Sequence, residues 1–201
     1  MSTRALEWSR TDRAMAAGKL MLGWLALLWL LEVVDLATGH SLDPYGITPR
    51  EFGELRDIVP AAFLHFGFDH LTANTFPLLV LGFLAALGGI RRFLGVVATV
   101  VLASGLGVWL TSPEGSLTLG ASGVVFGLFG YVLVRGFVDR SAVDVVVGLL
   151  VAAFYGSILW GVLPTASGVS WQGHLFGVLG GVAAAFFFRR HRTPQRAPLT
   201  P

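Results

Sequence analysis

The sequence predicts an all-α polytopic membrane protein, a bundle of six transmembrane helices with both chain ends in the cytoplasm. Apolarity is the first reason. Of 201 residues, 54% are hydrophobic and 13% charged, where soluble domains carry about 25% charged residues. Mean hydropathy is +0.72, and the apolar residues gather into runs near the roughly 20 residues that cross a bilayer core. Charge placement is the second reason. With the termini inside, Arg4, Arg10, Arg13, Lys19, Arg91, Arg92, Arg135, Arg140, Arg189, Arg190, Arg192 and Arg196 are cytoplasmic, and only Arg50 and Arg56 lie outside. That is the asymmetry the positive-inside rule requires.

Residues 1–17 read as a basic cytoplasmic tail, residues 18–188 as the membrane domain, and residues 189–201 as a basic, Pro/Thr-rich cytoplasmic tail. The first run, about Gly18–Thr38, holds Trp24 and Trp29, and the acids Glu32 and Asp35 near its outer end. It is too long for a secretory signal and has no small-residue cleavage site after it. Residues 39–58 form the longest connection. There Thr48-Pro49-Arg50-Glu51 fits a capping box with proline at the first helical position. Phe52, Leu55 and Ile58 follow at near-helical spacing, which predicts a short interfacial helix.

The second run, about Pro60–Leu87, is long for one span, so its first part is assigned to the outer connection. Pro77 removes the hydrogen bond to the Ala73 carbonyl and predicts a kink. Runs three to six cover about Phe93–Thr111, Leu119–Val138, Val143–Leu163 and Trp171–Phe188. Trp171 reads as an interfacial anchor, and Gly168 marks a mobile last outer loop. No internal repeat is evident, which argues against a transporter. Cysteine is absent, which excludes disulfides, thiolate metal sites and a cysteine nucleophile.

Runs two, four and six all start at the outer face. Ser122 lies about four residues into the fourth and His174 about four into the sixth, each roughly 6 Å below its start at 1.5 Å per residue. His70 and Asn74 share that layer and, at i, i+4, one helix face. Taken singly, each has a packing explanation. A serine in an apolar helix bonds its own i−4 carbonyl, a histidine sits satisfied in a core, and an asparagine links helices. Together, in one layer on one membrane side, they point to chemistry. A serine hydroxyl becomes a nucleophile when a base takes its proton, and histidine suits that task near neutral pH. Backbone N–H groups at Ser122, with His70 and Asn74, are candidate donors to an oxyanion. No acid lies at this depth near His174, so the arrangement is a Ser-His dyad.

At these residues the sequence resembles the rhomboid family of intramembrane serine proteases, in a minimal six-span bacterial form. Gly120-Ala121-Ser122-Gly123 matches the family's Gly-x-Ser-Gly motif. His70 and Asn74 match its His-x-x-x-Asn motif, with the frequent preceding histidine at His65. Gly173, His174, Gly177 and Gly181 match its small-His-x-x-Gly-x-x-x-Gly motif. The resemblance implies Ser122 as nucleophile, His174 as general base and later acid, and an oxyanion hole of the Ser122 amide, His70 and Asn74. It implies close packing of the sixth span on the fourth through Gly177 and Gly181 against Gly123 and Gly127. Phe126 takes the place of the family's common tyrosine against the imidazole. The family's Trp-Arg pair in the first outer loop is missing, with Leu55-Arg56 nearest to it.

The expected activity is therefore that of a serine endopeptidase of a bacterial cell membrane. It cuts peptide bonds in or next to transmembrane segments near the outer face. By the resemblance, its substrates are single-span proteins with locally unstable helices and small residues at the cut. The expected partners are these substrates and the lipid bilayer, with no nucleic acid; no metal or other cofactor is implied. Two rival readings are an inactive rhomboid-like protein that binds membrane helices, which would be expected to lack the serine or histidine, and a small transporter, whose polar groups would line a path through the bilayer. Glu32 and Asp35 have no expected catalytic role; Glu32 is assigned a loop partner such as Arg56.

Overall fold

The computed structural model describes residues 9–164 and 168–190. Most of these fold into helices: α1 (Arg10–Ala37), α2 (Ile58–Ala61), α3 (Phe68–Ala86), α4 (Ile90–Thr111), α5 (Ser122–Val138), α6 (Ala142–Tyr155) and α7 (Trp171–Phe187). Asp43–Tyr45, Phe52–Asp57 and Gly156–Val162 form 3-10 turns. Among the described residues there is no strand, only an isolated bridge between Ile47 and Thr118. Helices α1, α3, α4 and the continuous Ala142–Val162 segment are long and apolar enough to cross a membrane; α5 and α7 are apolar but shorter. The tail residues 1–8 and 191–201 and the loop residues 165–167 lie outside the described residues.

Helix α1 begins at Arg10 rather than near Gly18. The cause is a capping box: the Ser9 hydroxyl accepts from the Asp12 amide at 3.1 Å, and the Asp12 carboxylate accepts from the Ser9 amide at 3.1 Å. Its 28 residues reach about 42 Å, longer than a bilayer core. The second apolar run divides into α2 and α3, separated by residues 62–67, and Pro77 lies inside α3.

Helix α5 is the centre of the bundle. Every residue from Gly123 to Val132 is buried, as expected of a helix apolar on all sides and enclosed by others. Helix α7 packs along it. A Cβ on Gly177 would run into the Gly123 carbonyl oxygen, and one on Gly181 into the Gly127 carbonyl oxygen. The two backbones thus touch along the small-residue stripes. Helix α4 flanks α7, α3 flanks α5, and α1 rests on α3. Helix α6 is peripheral: it buries only Asp144, Gly148 and Val151, and exposes Val143, Leu149 and Phe154.

The connection between α1 and α2 is pinned differently from the expected capping box. No helix starts at Pro49. Arg50 adopts a positive φ of 64°, its amide donates to the Trp109 carbonyl at 3.1 Å, and its guanidinium donates to the Ser112 carbonyl at 2.9 Å. These bonds satisfy the carbonyl end of α4, and they hold the Thr48–Glu51 backbone out of helical geometry. A 3-10 turn over Phe52–Asp57 then leads into α2. Nor does Glu32 pair with Arg56: Glu32 is 2% exposed, while the Arg56 side chain is 80% exposed beside Asp57. Asp35 is buried too. Its carboxylate accepts from the Leu42 amide at 2.8 Å and pairs with His40 at 2.9 Å.

Charges gather where α5 ends and α6 begins. Arg92 of α4 donates to Asp139 at 2.7 Å, and Arg135 of α5 donates to Asp144 at 2.8 Å. The Arg190 amide donates to Asp139 at 2.8 Å. Burial raises the pKa of Asp139, but Arg92 and the Arg190 amide outweigh it and hold the carboxyl below its ordinary 3.8. A depressed pKa contributes stability that is present above the unfolded value and lost as pH falls through the folded one. Thermal unfolding in detergent should therefore show a loss of stability below about pH 4 that Asp139→Asn lacks. At neutral pH, Asp139→Ala leaves the buried Arg92 without its ion-pair partner, while Arg190 keeps Asp144 at 3.7 Å, and should cost about 3 kcal/mol.

Candidate active site

The N-terminal ends of α3, α5 and α7 converge on a cavity of about 850 Å³ lined by His70, Asn74, Ser122 and His174. Gly120, Gly123 and Phe126 line it as well, as do Gly168 to Gly173 from the loop before α7 and its first residues. The residues that the sequence singled out come from three separate helices and share one cavity.

Ser122 is the first residue of α5, not the fourth of a longer helix. Helical continuation backwards is blocked at Gly120, whose φ of +136° lies where glycine is at ease and other residues are strained. The segment before the serine is instead tied to the connection between α1 and α3. Gly120 N–H donates to the Ala61 carbonyl at 2.8 Å, and Thr118 pairs with Ile47. A Cβ at Gly120 would also lie 2.6 Å from Cε1 of His70, so glycine lets that ring sit against the serine loop. As the first residue of the helix, Ser122 has an amide with no intrahelical carbonyl to donate to.

His65 completes the loop. It is 2% exposed, and its Nε2 accepts from the Ala121 amide at 3.2 Å. An amide can only donate, so Nε2 carries a lone pair and the ring is neutral. Burial, and after it His70, push the His65 pKa down to about 3. The two rings meet edge to face at 5.1 Å. Removing this acceptor strands a buried amide, at about 1–3 kcal/mol. Among variants, His65→Ala should therefore lose roughly tenfold in any Ser122-dependent reaction, and His65→Gln, which keeps an acceptor, should recover most of it in the same assay.

Asn74 donates from Nδ2 to the His70 carbonyl one turn back, at 2.9 Å. One N–H of that amide is thereby used within α3, and the second is free to serve another acceptor. His174 is the fourth residue of α7. Its ring stacks on Phe126 at 3.9 Å between centroids and 6° between planes. Its Nδ1 lies 2.8 Å from the carbonyl oxygen of Gly161. Among the described residues no direct hydrogen bond joins the Ser122 hydroxyl to this ring, although both face the cavity. Such bonds are often long before substrate arrives. Ser104 of α4 joins the three helices close to the site: its hydroxyl donates to the Gly173 carbonyl at 2.8 Å and abuts Gly123.

Sequence reasoning passed over Gly161 and Ser104, and gave His65 no task of its own. Gly161 acts through a backbone carbonyl, which no residue type announces. Ser104 is one small residue in an apolar run. His65 had a signal in its place five residues before His70, ahead of α3.

A rhomboid-domain family model matches residues 53–191. An uncharacterized protein of Mycobacterium tuberculosis is 40% identical over 203 residues, covering 97% of this chain and 85% of its own. An uncharacterized protein of Mycobacterium leprae is 42% identical over 199 residues, covering 95% of this chain and 79% of its own. A Bacillus subtilis protein provisionally named a rhomboid protease is 31% identical over 176 residues, covering 80% of this chain and 82% of its own. The matched region runs from the 3-10 turn before α2 through α7 and includes every residue that lines the polar part of the cavity. The chain belongs to the rhomboid family.

Proposed function

We propose that this protein is an intramembrane serine endopeptidase of a bacterial cell membrane, with Ser122 as nucleophile and His174 as base. The observation that carries the reading is the common cavity. A serine at a helix start, a histidine held flat on an aromatic ring, and two further polar side chains all face it. In the reaction, the Ser122 hydroxyl adds to the scissile carbonyl while its proton passes to the His174 ring. The oxyanion formed receives hydrogen bonds from the Ser122 amide, His70 and the second N–H of Asn74. Collapse breaks the C–N bond as His174 returns the proton to the leaving amine. Water then hydrolyses the acyl-serine by the same relay.

In this reading α1, α3, α4, α5, α6 with its 3-10 extension, and α7 are the six spans, and both termini are cytoplasmic. The charge cluster around Asp139 lies at the cytoplasmic end, and the cavity opens to water on the outer side. Substrates are single-span membrane proteins. A peptide bond inside a helix is shielded by its own hydrogen bonds, so cleavage needs a segment that unwinds. The test is purified protein in detergent with a fluorescently labelled single-span substrate. Wild type should cut it, and neither Ser122→Ala nor His174→Ala should; cleavage persisting in both variants would remove the dyad.

A further inference from the structure

The dyad has a third member, and it is a backbone group. Resting on the serine-protease reading above, we infer that the Gly161 carbonyl is the positioning group that fixes the tautomer and orientation of His174. The carbonyl oxygen lies 2.8 Å from Nδ1 and can only accept. Nδ1 must therefore carry the ring proton, and in the neutral imidazole this leaves the lone pair on Nε2. In serine proteases with a complete triad a carboxylate does this work, and loss of it costs about 10⁴-fold because the wrong tautomer appears. Here the described residues place no carboxylate beside the ring, and a carbonyl at the end of the fifth span occupies that position.

Two further observations make the arrangement specific. Phe126 lies flat against the imidazole at 3.9 Å, which blocks tilting of the ring, so the Gly161 bond has only rotation within the plane left to settle. And the space at residue 161 admits no side chain: a Cβ there would lie 2.7 Å from Cζ of Phe126 and 3.1 Å from Nδ1 of His174. Glycine lets the carbonyl, the base and the aromatic ring close on each other. The 3-10 turn that carries Gly161 prolongs α6, the helix with the fewest buried residues among the long ones. The base is thus held ready only while this peripheral segment stays docked on α7. Displacing the turn releases the ring.

The test has two arms on the full-length protein in detergent. ¹⁵N-histidine NMR on the unreacted protein, with His174→Gln to assign the signal, reads the tautomer directly. The expected result is protonated Nδ1 and unprotonated Nε2; a protonated Nε2, or a freely exchanging mixture, overturns the inference even if every variant misfolds. The second arm compares fluorophosphonate labelling and substrate turnover in Gly161→Ala and Gly156→Ala. Gly156 lies in the same turn, and a Cβ there meets nothing within 4 Å, so Gly156→Ala should match wild type within about twofold. Gly161→Ala should lower kcat and labelling rate by roughly 10²-fold with KM little changed, and its His174 signal should shift towards mixed tautomers. Equal rates in the two alanine variants would show that the carbonyl positions nothing. Absence of labelling in wild type would instead strike the serine-protease reading, with the tautomer still measured on its own.

Discussion

Replacing Ser122 by alanine should lower kcat for cleavage of a single-span substrate by about 10⁶-fold, the scale seen when a serine protease loses its nucleophile. The structure gives the reason for expecting so complete a loss. Of the hydroxyl residues that line the cavity, Ser122 is the one at the head of the buried central helix, with an amide that has no helical partner. Water alone, delivered to the same place, has no covalent intermediate to form. Fold and substrate capture should survive, because the hydroxyl takes no part in the α5–α7 packing, which runs through Gly123 and Gly127. Thermal unfolding and substrate co-purification should therefore match wild type while turnover vanishes. His174→Ala should give a loss of similar size, and the double variant should lose little more, since the two groups act as a unit.

Gly177→Val is the second large effect. Here the damage starts in packing and ends in chemistry. A Cβ at 177 already meets the Gly123 carbonyl, carbon and Cα, so two further methyl groups must push α7 away from α5. Overpacking of this kind costs typically 1–3 kcal/mol. The displacement falls one turn below His174 and directly beside the first turn of α5, where Ser122 sits. A shift of about 1 Å between nucleophile and base is enough to cost roughly 10²-fold. The variant should thus remain folded at reduced melting temperature and lose at least that factor in turnover. A control at Gly23, where a Cβ meets nothing within 4 Å, should change neither quantity. Unimpaired cleavage by Gly177→Val would mean that the helix contact does not set the geometry of the site.

What the sequence made legible depends on which forces act locally. Hydropathy announced the helices, because a lipid-facing helix must be apolar along its whole length, and the family resemblance, carried by glycines of α5 and α7, implied their contact. Helix ends were harder. Thr48-Pro49-Arg50-Glu51 has the composition of a capping box, yet Arg50 is drawn off by carbonyls at the end of α4, which lie about 60 residues away in the chain. Ser122 reads as about four residues into an apolar run, since nothing in Leu119 to Ala121 shows that this backbone bonds to Ala61 and His65 instead of helically. Arg10 reads as tail, though Ser9 and Asp12 supply a local cap that could have been found. For the site, side chains were visible by type, whereas the Gly161 carbonyl was not. A group that every residue possesses is identified by where it points, and that is known only from the fold.

The most direct measurement is the position of a covalent adduct. Wild-type protein should be treated with a fluorophosphonate, digested and read by tandem mass spectrometry. A base-activated serine predicts a single phosphonylated residue at Ser122, formed at a rate that collapses in His174→Ala. An adduct on any other serine, or one at Ser122 that forms equally fast without His174, would contradict the account.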